Sequence, residues 1–116
     1  MRLTEKQLEI MDVLWESTAP LTITDIVEKT RDTRSWSSKS IYSLIEQLEK
    51  KGAVCVSRSC PTNANYAKAY EAAISCPEFM VKTAVGINKA RKPGVRVSAD
   101  VYVETIRSME DEWEDE

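Results

Sequence analysis

Residues 36–54 read WSSKSIYSLIEQLEKKGAV. Ile41, Leu44, Ile45 and Leu48 stand at the i, i+3, i+4, i+7 spacing of an amphipathic helix, which turns Lys39, Ser40, Tyr42, Ser43 and Gln47 to the opposite side. Ser37 or Ser38 can cap the start of this helix, and Gly52, directly after Lys50 and Lys51, can take the positive φ that ends it. Glu46 and Glu49 give the outward face an acidic edge. A helix held by one face and polar on the other is suited to reading a surface.

Two shorter helices precede it. Thr4 and Gln7 have the spacing of a capping box, and Leu8, Met11 and Trp15 continue one helical face that Ile10 and Leu14 widen, up to about Ser17 and the Ala19-Pro20 break. Thr22 and Asp25 repeat the capping spacing, and Ile23, Ile26 and Val27 supply the apolar edge of a helix that should stop near Thr30. After Gly52 the period changes. Val54 and Val56 alternate with Cys55 and Ser57, the segment SCPTNAN is dense in turn residues, and NYAKAY can return as a second strand. Three helices followed by a hairpin form the layout of a winged helix-turn-helix, a mainly α fold with a small β-hairpin. In that fold the third helix enters a DNA major groove and the hairpin lies beside it as a wing.

The remaining chain predicts two further helices. Ser75 and Pro77 can start one that carries Phe79, Met80, Thr83, Ala84 and Ile87 on one side, although Gly86 weakens its continuity. A turn at Lys92-Pro93-Gly94 leads to Ser98, which can cap a last helix with Tyr102, Ile106, Met109 and Trp113 at i, i+4, i+7, i+11. A narrow apolar stripe needs cover, which points to dimerisation through Phe79, Ile87, Tyr102, Ile106, Met109 and Trp113. Folding back onto the chain's own winged domain is the alternative. The expected organisation is a winged-helix DNA-binding domain over 1–73 and a helical dimerisation region with an acidic tail over 74–116.

Charge distribution matters more than its total. The 116 residues sum to −3, yet residues 29–58 hold seven basic side chains against three acidic, while the last seven residues, EDEWEDE, hold six carboxylates. A local positive field is therefore compatible with an acidic chain. The absence of histidine and the three unpaired-looking cysteines, Cys55, Cys60 and Cys76, speak against structural zinc, and neither a metal nor a cofactor is expected. No nucleophile has a plausible base at recognisable spacing, so an enzyme is not expected. No apolar run has the length of a membrane span and the N-terminus lacks an export signal, which makes a cytoplasmic protein the expectation.

The stretches LTEKQLEIMDVLWE, PLTITDIVEK and WSSKSIYSLIEQLEKKGAV, in this order and at these separations, resemble the penicillinase-repressor family of small bacterial repressors. The resemblance implies an N-terminal winged-helix domain and a C-terminal helical dimerisation region that bind dyad-symmetric, double-stranded operator DNA as a homodimer. It also implies that Lys39, Ser40, Tyr42, Ser43 and Gln47 lie on the recognition helix. The chain departs from the family in its C-terminal part, where residues 77–116 match no cleavage segment and Cys76 stands without a paired cysteine, and in two places of the winged region. Ala64-Asn65 stands where family wings often carry Gly-Arg, and Gln47 stands where the family is often basic.

Around that helix, Arg31, Arg34, Lys51 and Arg58 suit phosphate contacts, which position a protein without specifying sequence. The Trp36 indole N–H could reach a phosphate, or its ring could be buried at the helix entrance. For the basic side chains and the helix face the plainer reading is an ordinary solvated surface. The functional alternative to a sequence-specific repressor is a winged helix that binds another protein.

Overall fold

The computed structural model of the chain is described here for residues 1–57 and 68–114, with side chains through residue 110. The chain divides into two compact units, Met1–Val81 and Lys82–Glu116.

The first unit begins with α1 (Glu5–Glu16), whose capping box is complete: the Thr4 hydroxyl accepts from the Gln7 backbone N–H, and the Gln7 side chain accepts from the Thr4 N–H. The same device opens α2 (Ile23–Thr30), with Thr22 and Asp25 in the two roles. A 3₁₀ turn, Ser38–Ser40, leads into α3 (Ile41–Lys51), which ends on Gly52 at φ 79°. That left-handed conformation is the one the sequence requires of a glycine there.

Three short strands complete the unit. β1 (Leu21–Thr22), β2 (Val54–Val56) and β3 (Ala69–Ala72) form an antiparallel sheet in the order β1-β3-β2, with Leu21 opposite Tyr70 and Val56 opposite the same residue on the other side. The returning strand was expected within 65–70; its described part instead runs on to Ala72. The turn segment and the first half of NYAKAY lie outside the described residues, as do Arg58 and Cys60. β1 was not expected, since two residues are too few to show alternation.

The core is one cluster. Ile10, Met11 and Leu14 of α1, Ile26 of α2, and Ile41, Leu44, Ile45 and Leu48 of α3 are buried with Leu21, Ala53, Val54, Tyr70, Ile74 and Phe79. The α3 face read from the sequence is thus the buried face. Trp15 is half-buried at the margin, where its indole N–H donates to the Ile74 carbonyl at 2.9 Å and its ring meets that of Phe79 at 5.7 Å.

Phe79 corrects the sequence reading. Expected on a dimerisation face, it is 9% exposed and belongs to the core of its own chain. The cause is packing: the first turn of α4 (Cys76–Lys89) delivers it to Trp15, and the boundary between the two units accordingly falls inside α4 rather than before it.

In the second unit, α4 runs through Gly86 without interruption, a 3₁₀ turn follows at Pro93–Val95, and α5 spans Ala99–Glu114. The connection is ordered by side chains. Asn88 exchanges two hydrogen bonds of 2.8 Å with the Val97 backbone, and the Arg96 guanidinium donates to the carbonyls of Lys89 and Arg91 at the end of α4. The expected cap is present, with the Val101 N–H donating to Ser98 Oγ at 3.4 Å.

Candidate nucleic-acid interface

Burying Ile41, Leu44, Ile45 and Leu48 leaves α3 two exposed stripes. One carries Ser43 and Gln47 at i, i+4 and is extended backward by Lys39 and forward by Lys51; the other carries Tyr42, Glu46 and Glu49. The second stripe acts on the sheet. Burial first, then Glu49, Tyr42 and Glu46, hold the Tyr70 phenol above the ordinary tyrosine value of 10.0. Glu46, exposed and three residues after Ser43, also borders the ridge of Lys39, Ser43 and Gln47, which therefore has one acidic edge.

Lys39 and Ser40 sit in the 3₁₀ turn before α3 rather than on the α-helix proper, and the Lys39 N–H is fixed by Ser37 Oγ at 3.2 Å. Among the described residues the Lys39 ammonium has no ion-pair or hydrogen-bond partner. Tyr42 is 61% exposed. Ser40 is half-buried and Ser43 exposed.

Several of the expected phosphate contacts are engaged within the chain. The Trp36 indole N–H donates to the Glu9 carboxylate, and the Lys6 ammonium and Arg34 guanidinium each lie over the half-buried ring, 5.9 Å from its centroid. Trp36 therefore ties the helix entrance to α1, and its donor is not left for a phosphate. Arg34 closes the end of α2. Its Nε donates to Thr30 Oγ1 at 3.0 Å, and its terminal nitrogens donate to the carbonyls of Trp36 and Val27. Arg31 is exposed and pairs with Glu28 one turn back. Lys51 donates to the Arg2 carbonyl and to Gln7 Oε1, both at 2.7 Å.

Gln7 is the residue that sequence reading missed. It appears there only as a capping residue, yet it is 2% exposed and its Nε2 donates to Gln47 Oε1 at 2.8 Å, so it joins α1 to the polar ridge of α3. Its position has the buried period, at i to Ile10, Met11 and Leu14 at i+3, i+4 and i+7, but its polar side chain hides that signal. Cys55 is exposed and Cys76 half-buried, both as free thiols.

The penicillinase repressor family matches residues 3–89. The chain belongs to that family. The family is one of regulators rather than catalysts. Solved structures agree on the winged-helix fold. The solution structure of the Bacillus licheniformis BlaI monomer in complex with the blaP half-operator is 22% identical, with a TM-score of 0.52 over 67% of this chain and 88% of that one. PerR of Streptococcus pyogenes, described for peroxide sensing and gene regulation, is 18% identical with a TM-score of 0.51 over 62% of this chain and 48% of its own. The Helicobacter pylori ferric uptake regulator Fur is 19% identical with a TM-score of 0.50 over 76% and 70%. The chain spans about half the length of PerR and of several other solved regulators that it resembles. No curated protein sequence matches it. Among the described residues no helix is long and apolar enough to cross a membrane.

Proposed function

We propose that the chain is a sequence-specific transcriptional repressor that acts in the cytoplasm as a homodimer on a dyad-symmetric operator. The first unit supplies the DNA-binding part and the second, with the acidic tail, the dimerisation part. The observation that carries the reading is the ridge Lys39–Ser43–Gln47, exposed on a helix whose other face is core, with Glu46 at its edge. Lys39, Ser40, Tyr42, Ser43 and Gln47 approach base edges or the adjoining backbone, while Arg31 and Arg58 approach phosphate. The BlaI relative, solved on a half-operator, supports the same orientation of function.

Dimerisation rests on α5. Tyr102 and Met109 are 38% and 44% exposed on one stripe with Ile106, and Ile87 of α4 is 52% exposed. Trp113 continues the stripe by its spacing, although its side chain lies outside the described residues.

One observation favours the second reading, a winged helix that binds protein. The guanidinium of Arg34, the ammonium of Lys51 and the indole of Trp36 are held by internal partners, which lowers the count of phosphate ligands. A gel-shift titration of the full chain against the DNA upstream of its own gene, at two salt concentrations, separates the two. The repressor reading expects log K to fall with log salt at a slope of several units; an affinity for duplex DNA that salt does not change contradicts it.

A further inference from the structure

We infer that buried Gln7 fixes which end of the Gln47 amide is offered to DNA: Gln47 presents its N–H donors outward, and so selects a hydrogen-bond acceptor on the base edge it meets. The inference deepens the DNA-reading role proposed above and rests on it.

The orientation follows from groups whose chemistry has no ambiguity. The two ends of a glutamine amide look alike in shape, and their assignment depends on partners. Gln7 has two partners that can only donate, the Thr4 backbone N–H at 3.0 Å and the Lys51 ammonium at 2.7 Å. Both must meet its carbonyl oxygen. The Gln7 NH₂ is thereby directed at Gln47, 2.8 Å away, and the Gln47 group that receives it must be Oε1. Gln47 Nε2 is left on the exposed side, 3.5 Å from Ser43 Oγ. Accepting there frees the Ser43 proton to point elsewhere, so the pair Ser43 and Gln47 offers donors.

The consequence is a restriction on what this helix reads. A free glutamine pairs bidentately with adenine through one donor and one acceptor. Gln47 has its acceptor turned inward to a residue that is 2% exposed, which removes that pairing. Guanine, with two acceptors and no donor on its major-groove edge, is the base that fits.

Gln7→Glu tests the relay without touching the reading surface. A carboxylate at residue 7 still accepts from Thr4 and pairs with Lys51, but it can only accept from Gln47, which must then turn Nε2 inward and Oε1 outward. Duplexes selected from a randomised pool by the wild type should carry guanine at one position of each half-site. Those selected by Gln7→Glu should carry adenine or cytosine there, whose amino groups donate, with other positions unchanged. Each protein should favour its own base by about fivefold per half-site, the size of one net hydrogen bond. Gln47→Ala should lose the preference at that position alone. The same base selected by the wild type and Gln7→Glu overturns the inference but leaves the DNA-reading role standing, whereas a wild type that selects no sequence overturns both. Independently of DNA and of any variant folding, side-chain amide exchange in the free wild type should be slow for Gln7 and fast for Gln47. The reverse order overturns the assignment.

Discussion

Ile10, Met11, Ile26, Ile41, Ile45 and Leu48 of the first unit are at most 1% exposed, whereas Val85, Ile87, Val95, Val97, Val101, Val103 and Met109 of the second are each at least 44% exposed. The first unit has three helices and a small sheet to enclose one cluster; the second has two helices and a turn, and its described apolar side chains largely face outward. Local structure does not explain the contrast, because the second unit is well ordered by the Asn88–Val97 and Arg96 hydrogen bonds. What it lacks is buried apolar area, the dominant favourable term in folding. On the proposed reading the units have different tasks: one holds a reading surface by itself, and the other gains its stability from association.

The largest expected effect lies in the first unit. Ile45→Ala, at 1% exposure, should destabilise it by about 2–5 kcal/mol, through lost burial and the cavity left under α3. Denaturant unfolding should show a lowered midpoint independent of protein concentration. A loss that grows on dilution would mean that the first unit also depends on association.

In the second unit the dependence on concentration should reverse. Ile106→Asp places a carboxylate in the α5 stripe and should raise the dimer dissociation constant at least about a hundredfold, on the order of 3 kcal/mol. Sedimentation velocity at ~10 μM would read this as a shift from dimer to monomer, with the first unit still folded by circular dichroism. A wild type that is already monomeric at that concentration would remove the contrast drawn above.

Gly86→Ala sharpens the same point on a smaller scale. Gly86 lies inside α4, and a Cβ there would meet nothing within 4 Å. The substitution should stabilise the helix by about 0.5–1 kcal/mol, the ordinary difference between glycine and alanine in a helix interior. If it instead weakens self-association, Gly86 lies against the partner and the covered face extends from α5 onto α4.

The smallest effect is a pH dependence confined to the first unit. Tyr70 has its folded pKa raised above 10.0 by burial, Glu49, Tyr42 and Glu46. Its contribution to stability is whole below 10.0, where both states keep the proton, and is lost as pH rises from there through the raised folded value. Thermal melts should be insensitive to this group near pH 8 and fall above pH 10.0, and Tyr70→Phe should flatten that fall. An unchanged alkaline slope in Tyr70→Phe would place the sensitive group elsewhere.

Most of the first unit is legible in the sequence because its signals are local. The Thr4–Gln7 and Thr22–Asp25 boxes, the 41–48 face and Gly52 each depend on spacing within one or two turns of chain. What escapes is settled by contacts between distant residues. β1 exists because β3 pairs with it; Phe79 is core because Trp15 is there to receive it. The candidate interface divides in the same way. The exposure of Lys39, Tyr42, Ser43 and Gln47 follows from helical period, but the engagement of Trp36 by Glu9 and of Lys51 and Gln47 by Gln7 joins residues 27, 44 and 40 apart. Those links are side-chain chemistry across a fold, which periodicity does not encode.

The central claim is that the Lys39–Ser43–Gln47 ridge reads DNA sequence. Its most direct test is the ratio of affinities for operator and scrambled duplexes, taken from the DNA upstream of the gene and measured for the wild type and Ser43→Ala. Ser43 is exposed on α3 and contributes nothing to the core, so the substitution should leave the melting temperature nearly unchanged. The account predicts that the ratio narrows by about fivefold per half-site, with little change in affinity for the scrambled duplex. Equal weakening on both duplexes would contradict it, since Ser43 would then support binding without reading the bases.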